Sequence, residues 1–224
     1  MDQKIKLLAI ALIVLLIVIS LETFMLATQQ SSSNQINPIR VACIGDSITE
    51  SSGYPNELWM LLGENYTVSN FGMGGTTVSL DNDFPYMHQV AFQEAKKFQP
   101  HIVIIMLGTN DANPYVQQFN STFVDDYIRL ISAFEALASK PKIWLVKPPP
   151  IFDNGTGLST PYFDTQVLPP IEEVATKTKL PIIDVYSALI SHPERFGDGV
   201  HPDEEGGRLI AEAIFKGLSS TINP

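Results

Sequence analysis

Residues 101–107, "HIVIIML", are apolar at every position after the first. A strand with one face in water alternates apolar and polar residues, whereas a strand covered on both faces has no polar side to show. The run therefore reads as the central strand of a parallel sheet buried between helices. Four further short β-rich runs accompany it, at 39–44, 66–71, 142–146 and 181–185. Helical patterns lie between them. Ser121 is placed to cap one helix, whose Val124, Tyr127, Ile128, Ile131 and Leu137 fall on one face as a core stripe. Weaker patterns cover 55–62, 86–98, 165–178 and 202–218. Strand and helix in alternation predict an α/β fold, a three-layer α/β/α sandwich around a five-stranded parallel sheet with right-handed crossovers.

The chain has 224 residues, 45% hydrophobic and 17% charged, the composition of a folded domain rather than a disordered one. Its net charge of −10 and lack of any basic stripe argue against a nucleic-acid partner, because backbone binding needs clustered Lys and Arg. The lone cysteine, Cys43, excludes an internal disulfide and reads as a small buried hydrophobe.

The amino terminus has a separate character. Lys4 and Lys6 precede an uninterrupted apolar run, 7–19, and a second apolar patch follows at 23–27. The pattern fits either a signal peptide, with Ala27 the last residue removed, or an uncleaved anchor over 7–27, near the about 20 residues that cross a bilayer. Met25 stands where a cleavage site prefers a small residue, so the anchor is favoured. Both readings export the domain and leave it extracytoplasmic, and the anchor adds N-terminal membrane association. The expected organisation is a signal or anchor at 1–27, a flexible polar linker at 28–38 and one domain at 39–218. Sequons at Asn65, Asn120 and Asn154 permit an exported location.

In open α/β sheets ligands bind beyond the carboxyl ends of the strands. The first run is followed by Gly45-Asp46-Ser47, the second by "NFGMGGTT" at 70–77, the third by "GTND" with Asn110, and the fifth by "GDGVHP" with Asp198 and His201. These are parts for acyl transfer. Serine needs a neighbouring base, and His201 is the candidate. His201 needs an acceptor on its other ring nitrogen, which Asp198 can supply. A tetrahedral intermediate needs donors aimed at its oxyanion, and the backbone N–H groups of Ser47 and Gly75 with the Asn110 amide can provide them. Asp46 is expected to orient the turn rather than to do chemistry.

On these blocks the sequence resembles the SGNH hydrolases, also called GDSL esterases. "GDSIT" matches the first block, "NFGMGGT" the second, "GTND" the third and "DGVHP" the last, in order over about residues 39–217. The resemblance implies a flavodoxin-like strand order, 2-1-3-4-5. It also implies ester hydrolysis without metal or cofactor, with Ser47 as nucleophile, Asp198 and His201 completing the catalytic set, and Gly75 and Asn110 as oxyanion donors. Ile48 stands where the family name has Leu, and Gly72 where many members carry Ser or Ala. The G-x-S-x-G pattern of the α/β-hydrolases is absent.

Competing readings are weaker. "GMGGTT" fails the dinucleotide fingerprint because Thr77 replaces its third glycine. Asp198, His201, Asp203 and His192 could ligate a metal, but no second cluster supports one. His88, His101 and His192 read as structural, with His101 at the amino end of its strand. The expected function is an exported serine esterase acting on small acyl esters, with acetyl groups on carbohydrates favoured. A lysophospholipase or thioesterase, or a catalytically silent glycan-binding module, are the alternatives. Phe84, Tyr86, Phe152 and Tyr162 are candidate rim residues.

Overall fold

The computed structural model describes residues 2–32, 37–153 and 155–222. The chain divides into two compact units, Met1–Asn37 and Pro38–Pro224.

The second unit holds five strands, β1 (Ile39–Gly45), β2 (Tyr66–Gly72), β3 (Ile102–Met106), β4 (Lys142–Lys147) and β5 (Ile182–Asp184). Their order is β2-β1-β3-β4-β5 and every pairing is parallel, the expected arrangement. Successive side chains of a strand point to opposite faces, and here both faces are dry. Ala42, Ile44, Val103, Ile105, Ile143 and Leu145 enter one core cluster. Val41, Cys43, Ile104, Met106, Trp144 and Val146 enter the other.

The first cluster is closed by helices Val90–Lys97, Phe123–Glu135 and Leu168–Thr178. The second is closed chiefly by Tyr54–Leu62 and Glu204–Ile222. Each fully buried Ile or Leu contributes about 1.5–3 kcal/mol, so the central strands are the most costly to truncate. The helix expected to be capped by Ser121 begins later: its cap is Thr122, whose hydroxyl donates to Asp126 Oδ2 at 2.7 Å. The helical pattern at 86–98 splits into a 3-10 turn, Tyr86–His88, and the helix from Val90.

In the first unit one helix runs over Gln3–Ser32, taking in residues 28–32 of the stretch expected as linker. Residues 33–36 lie outside the described residues, as do several side chains of this helix. Among the described residues no helix is long and apolar enough to cross a membrane, so the spanning anchor rests on the sequence alone. Of the sequons, Asn65 is exposed, while Asn154 and the Asn120 side chain lie outside the described residues.

Candidate active site

Ser47 opens a short helix, Ser47–Ser51, directly beyond the end of β1. Asp46 caps it in an extended conformation, its Oδ1 accepting the Ile48 N–H at 3.0 Å. The chain folds back this tightly because residue 45 is glycine: a Cβ there would lie 1.9 Å from Thr49 Oγ1 and 2.7 Å from the Met106 carbonyl. As the first residue of the helix, Ser47 keeps an N–H that has no intrahelical acceptor.

Asp198 and His201 come from the loop before helix Glu204–Ile222. His201 Nε2 lies 2.8 Å from Ser47 Oγ, and His201 Nδ1 lies 2.7 Å from Asp198 Oδ2. Asp198 Oδ1 accepts the backbone N–H groups of Val200 and His201 at 2.9 and 2.7 Å. Burial raises the Asp198 pKa, but the hydrogen bonds from the His201 side chain and from the two backbone N–H groups outweigh it and hold the carboxyl at about 2. An ionised carboxylate only accepts hydrogen bonds, so Nδ1 carries the ring proton and Nε2 is left to accept from the Ser47 hydroxyl. The loop is held against the serine by close packing. A Cβ on Gly207 would come within 2.0 Å of the Ser52 carbonyl oxygen, so the last helix rests directly on the end of the serine's helix.

The second block forms the facing wall. Gly75 has φ 77°, the left-handed region that favours glycine. The Gly74 N–H is taken by Glu50 Oε2 at 2.9 Å and so is not available to a ligand. Asn110 gives one amide hydrogen to the Thr76 carbonyl at 2.9 Å, fixing its plane and sparing the second hydrogen for a ligand. A Cβ at Gly72 would lie 2.2 Å from the Glu50 nitrogen, so the Ser or Ala of related sequences has no room here.

Several supporting residues escaped the sequence reading. Asn70 bridges β2 to the serine's helix, donating to the Thr49 carbonyl at 2.8 Å and accepting from the Gly72 N–H at 2.8 Å. Asp111, fully buried, accepts from the Val78 and Ser79 N–H groups at 2.9 and 3.0 Å. Asp126 accepts from the next N–H, Leu80, at 3.0 Å. These two carboxyls pin the segment that follows Gly75. Burial pushes Asp111 up to about 6 against the pull of those backbone donors. It also pushes Asp46 up to about 6, since Oδ2 of Asp46 meets no donor at hydrogen-bonding geometry. The nearby Thr109 hydroxyl, likewise without a well-placed partner, offsets this only in part.

The remaining candidates are structural. Burial pushes the Cys43 thiol up to about 12, partly offset by Tyr54, which removes it as a nucleophile. His101 accepts from the Arg40 N–H at the amino end of the sheet, His192 pairs with Glu194, and Asp203 receives the Gly206 N–H. Among the described residues no group of three or more His, Cys, Asp or Glu is placed to hold a metal ion. Of the expected rim aromatics, Tyr86 is buried with its hydroxyl on the Phe71 carbonyl, and Phe152 packs on Phe196. Tyr162 packs against the core, whereas Phe84 is exposed beside a cleft of about 630 Å³ that reaches Gly75 and Asn110.

A parallel α/β/α sheet with a hydrogen-bonded serine, imidazole and carboxylate beyond its strand ends defines the class, a doubly wound domain that carries the parts of nucleophilic serine chemistry. A model of the GDSL-like lipase/acylhydrolase family matches residues 43–209, and the chain belongs to that family. It is 35% identical over 202 residues to an acetylxylan esterase from Xylanibacter ruminicola, covering 79% of this chain and 42% of the relative. The chain thus spans less than half of that relative's length. The fold is shared with the native aryl esterase of M. smegmatis, with TM-score 0.64 at 21% identity over 81% of this chain and 98% of that one. A carbohydrate acetylesterase from Sinorhizobium meliloti superposes with TM-score 0.63 at 21% identity, covering 81% and 99%.

Proposed function

We propose that the chain is an exported serine esterase that removes small acyl groups, acetyl foremost, from carbohydrate hydroxyls. The observation that carries the reading is the hydrogen-bonded sequence Ser47 Oγ to His201 Nε2 to Asp198, at 2.8 and 2.7 Å. Ser47 attacks the ester carbonyl as His201 takes its proton, and Asp198 stabilises the imidazolium. The N–H groups of Ser47 and Gly75 and the Asn110 amide receive the oxyanion. His201 returns the proton to the departing sugar hydroxyl, leaving acyl-Ser47. A water deprotonated by His201 then attacks the acyl carbonyl, releasing the carboxylic acid and restoring Ser47.

The likeness to an acetylxylan esterase supports acetyl and carbohydrate as the two halves of the substrate. The basic start and the apolar run 7–19 support export with the amino terminus held at the membrane. The test is labelling by a fluorophosphonate together with release of nitrophenol from acetyl and octanoyl esters. Labelling that vanishes in Ser47→Ala, with acetyl preferred, is expected. A wild-type chain that is neither labelled nor active would overturn the reading in favour of a binding module, and a preference for octanoyl would shift it to a lipase.

A further inference from the structure

The cleft that reaches Gly75 and Asn110 is far larger than an acetyl group, and its about 630 Å³ lies in the usual range for a ligand site. One wall is the segment 80–84, presenting the exposed Asp81 and Asp83. The other carries Tyr115 and Gln118. Both walls are built rather than loose. Asn82 donates to Thr77 Oγ1 at 2.9 Å and accepts the Phe84 N–H at 2.9 Å. The Tyr115 backbone is held on both sides, its N–H by Asn113 Oδ1 at 3.0 Å and its carbonyl by Gln118 Nε2 at 3.1 Å. The Tyr115 ring itself is left standing in solvent, 84% exposed.

Such a lining suits one kind of molecule. Leu80, Phe84 and Val116 share the lining with Asp81, Asn82 and Asp83, so a long acyl chain laid here would desolvate two carboxylates. A phosphate or a uronate would meet Asp81 and Asp83 as like charges. A neutral sugar offers hydroxyls to donate to those carboxylates and a C–H face to lay against an exposed ring, which has an apolar body and a wet edge. We infer that this cleft is a glycan subsite that takes residues of a neutral sugar chain beside the acylated one, with Tyr115 as its stacking platform and Asp81 and Asp83 excluding acidic chains. The inference rests on the esterase reading for the position of the ester, and only for that.

The test uses the full chain, with acetylated xylo-oligosaccharide and 4-nitrophenyl acetate as paired substrates. Tyr115→Ala is expected to lower the ratio of the two kcat/KM values about tenfold, through KM for the oligosaccharide, and Tyr115→Phe to restore it. Asp81→Asn with Asp83→Asn is expected to raise kcat/KM severalfold on acetylated oligogalacturonide. An unchanged ratio in Tyr115→Ala overturns the subsite, as does a parallel loss on both substrates. Should the wild type hydrolyse neither ester, the esterase reading fails while the subsite is still tested. Calorimetry of deacetylated xylo-oligosaccharide with Ser47→Ala must then show binding that Tyr115→Ala weakens about tenfold, and no binding overturns it.

Discussion

The loop carrying Asp198 and the turn carrying Asp46 bring two carboxyls to the same serine and histidine, and they treat them in opposite ways. The Asp198 side chain is 46% exposed, yet it has donors on both oxygens and is held at about 2. Asp46 is fully buried, has one well-placed donor, and is pushed up to about 6. Donors per oxygen, set against burial, decide how readily each carboxyl takes up a proton as pH falls. In the proposed mechanism Asp198 supports the imidazolium with its charge, while Asp46 holds the shape of the turn. The largest effect is therefore expected where that charge is removed. In Asp198→Asn the remaining oxygen can keep the Val200 and His201 N–H groups, but the amide can present N–H to Nδ1 and favour the wrong tautomer. Turnover of nitrophenyl acetate should fall on the order of 10⁴-fold with the fold intact by circular dichroism. A loss under tenfold would remove Asp198 from the mechanism.

The next effect lies at the facing wall. Asp111 uses both oxygens on consecutive backbone N–H groups, and the same segment supplies the Thr76 carbonyl that orients Asn110. Asp111→Asn turns one acceptor into a donor facing a donor. The segment must move, and Asn110 with it. A displacement of about 1 Å at an oxyanion donor costs about 10²-fold in turnover, with KM little changed. Asp126→Asn, acting one residue further out, should cost less. If Asp111→Asn lowers only the melting temperature, Asp111 is a structural residue and not a positioning one.

The packing that joins loop to turn gives a third test. In Gly207→Ala the new methyl would meet the Ser52 backbone, so overpacking of about 1–3 kcal/mol should be accompanied by a loss of turnover of about tenfold as the Ser47–His201 contact opens. Gly217→Ala, whose methyl would meet only the Ile183 side chain at 2.7 Å, should cost stability without that loss. Equal effects of the two on turnover would show that Gly207 does not couple the loop to the serine.

The sequence made the strands and the residues at their ends legible, because both depend on local pattern. The apolar run at 101–107 reports burial on two faces, and Ser47 and Asn110 follow runs of that kind within a few residues, while Asp198 and His201, well beyond β5, were marked by their own three-residue spacing. Asn70, Asp111 and Tyr115 were illegible for the opposite reason. Their roles are set by the fold of the segments 72–85 and 108–118 over the sheet, and no residue spacing records which backbone N–H a buried carboxyl will meet. Tyr86 shows the same limit: an aromatic at the end of the segment 77–86 reads as a rim residue, but its hydroxyl finds the Phe71 carbonyl and the ring goes inside. The misplaced Ser121 cap is a smaller case, since Thr122 beside it can cap as well and also reaches Asp126.

Among the carboxyls the smallest effect on turnover is expected at Asp46, where the contrast shows itself through pH. Its folded pKa of about 6 stands above the ordinary value of 3.8, so between those values the folded chain holds a proton that the unfolded chain has lost. Stability from this group is therefore full below about pH 4 and declines as pH rises through 6. Asp46→Asn keeps an oxygen for the Ile48 N–H and places an amide hydrogen near the unpartnered Thr109 hydroxyl. Its stability should fall less steeply from pH 4 to 7 than that of the wild type, although Asp111, raised to a similar value, leaves part of the slope in place. At pH 7 the variant should be at least as stable in urea unfolding, and turnover should stay within tenfold. A steeper slope would mean that the folded chain does not hold the Asp46 proton between pH 4 and 6, a loss of turnover matching that of Asp198→Asn would give Asp46 a part in the chemistry, and on either result the contrast between turn and loop would not hold.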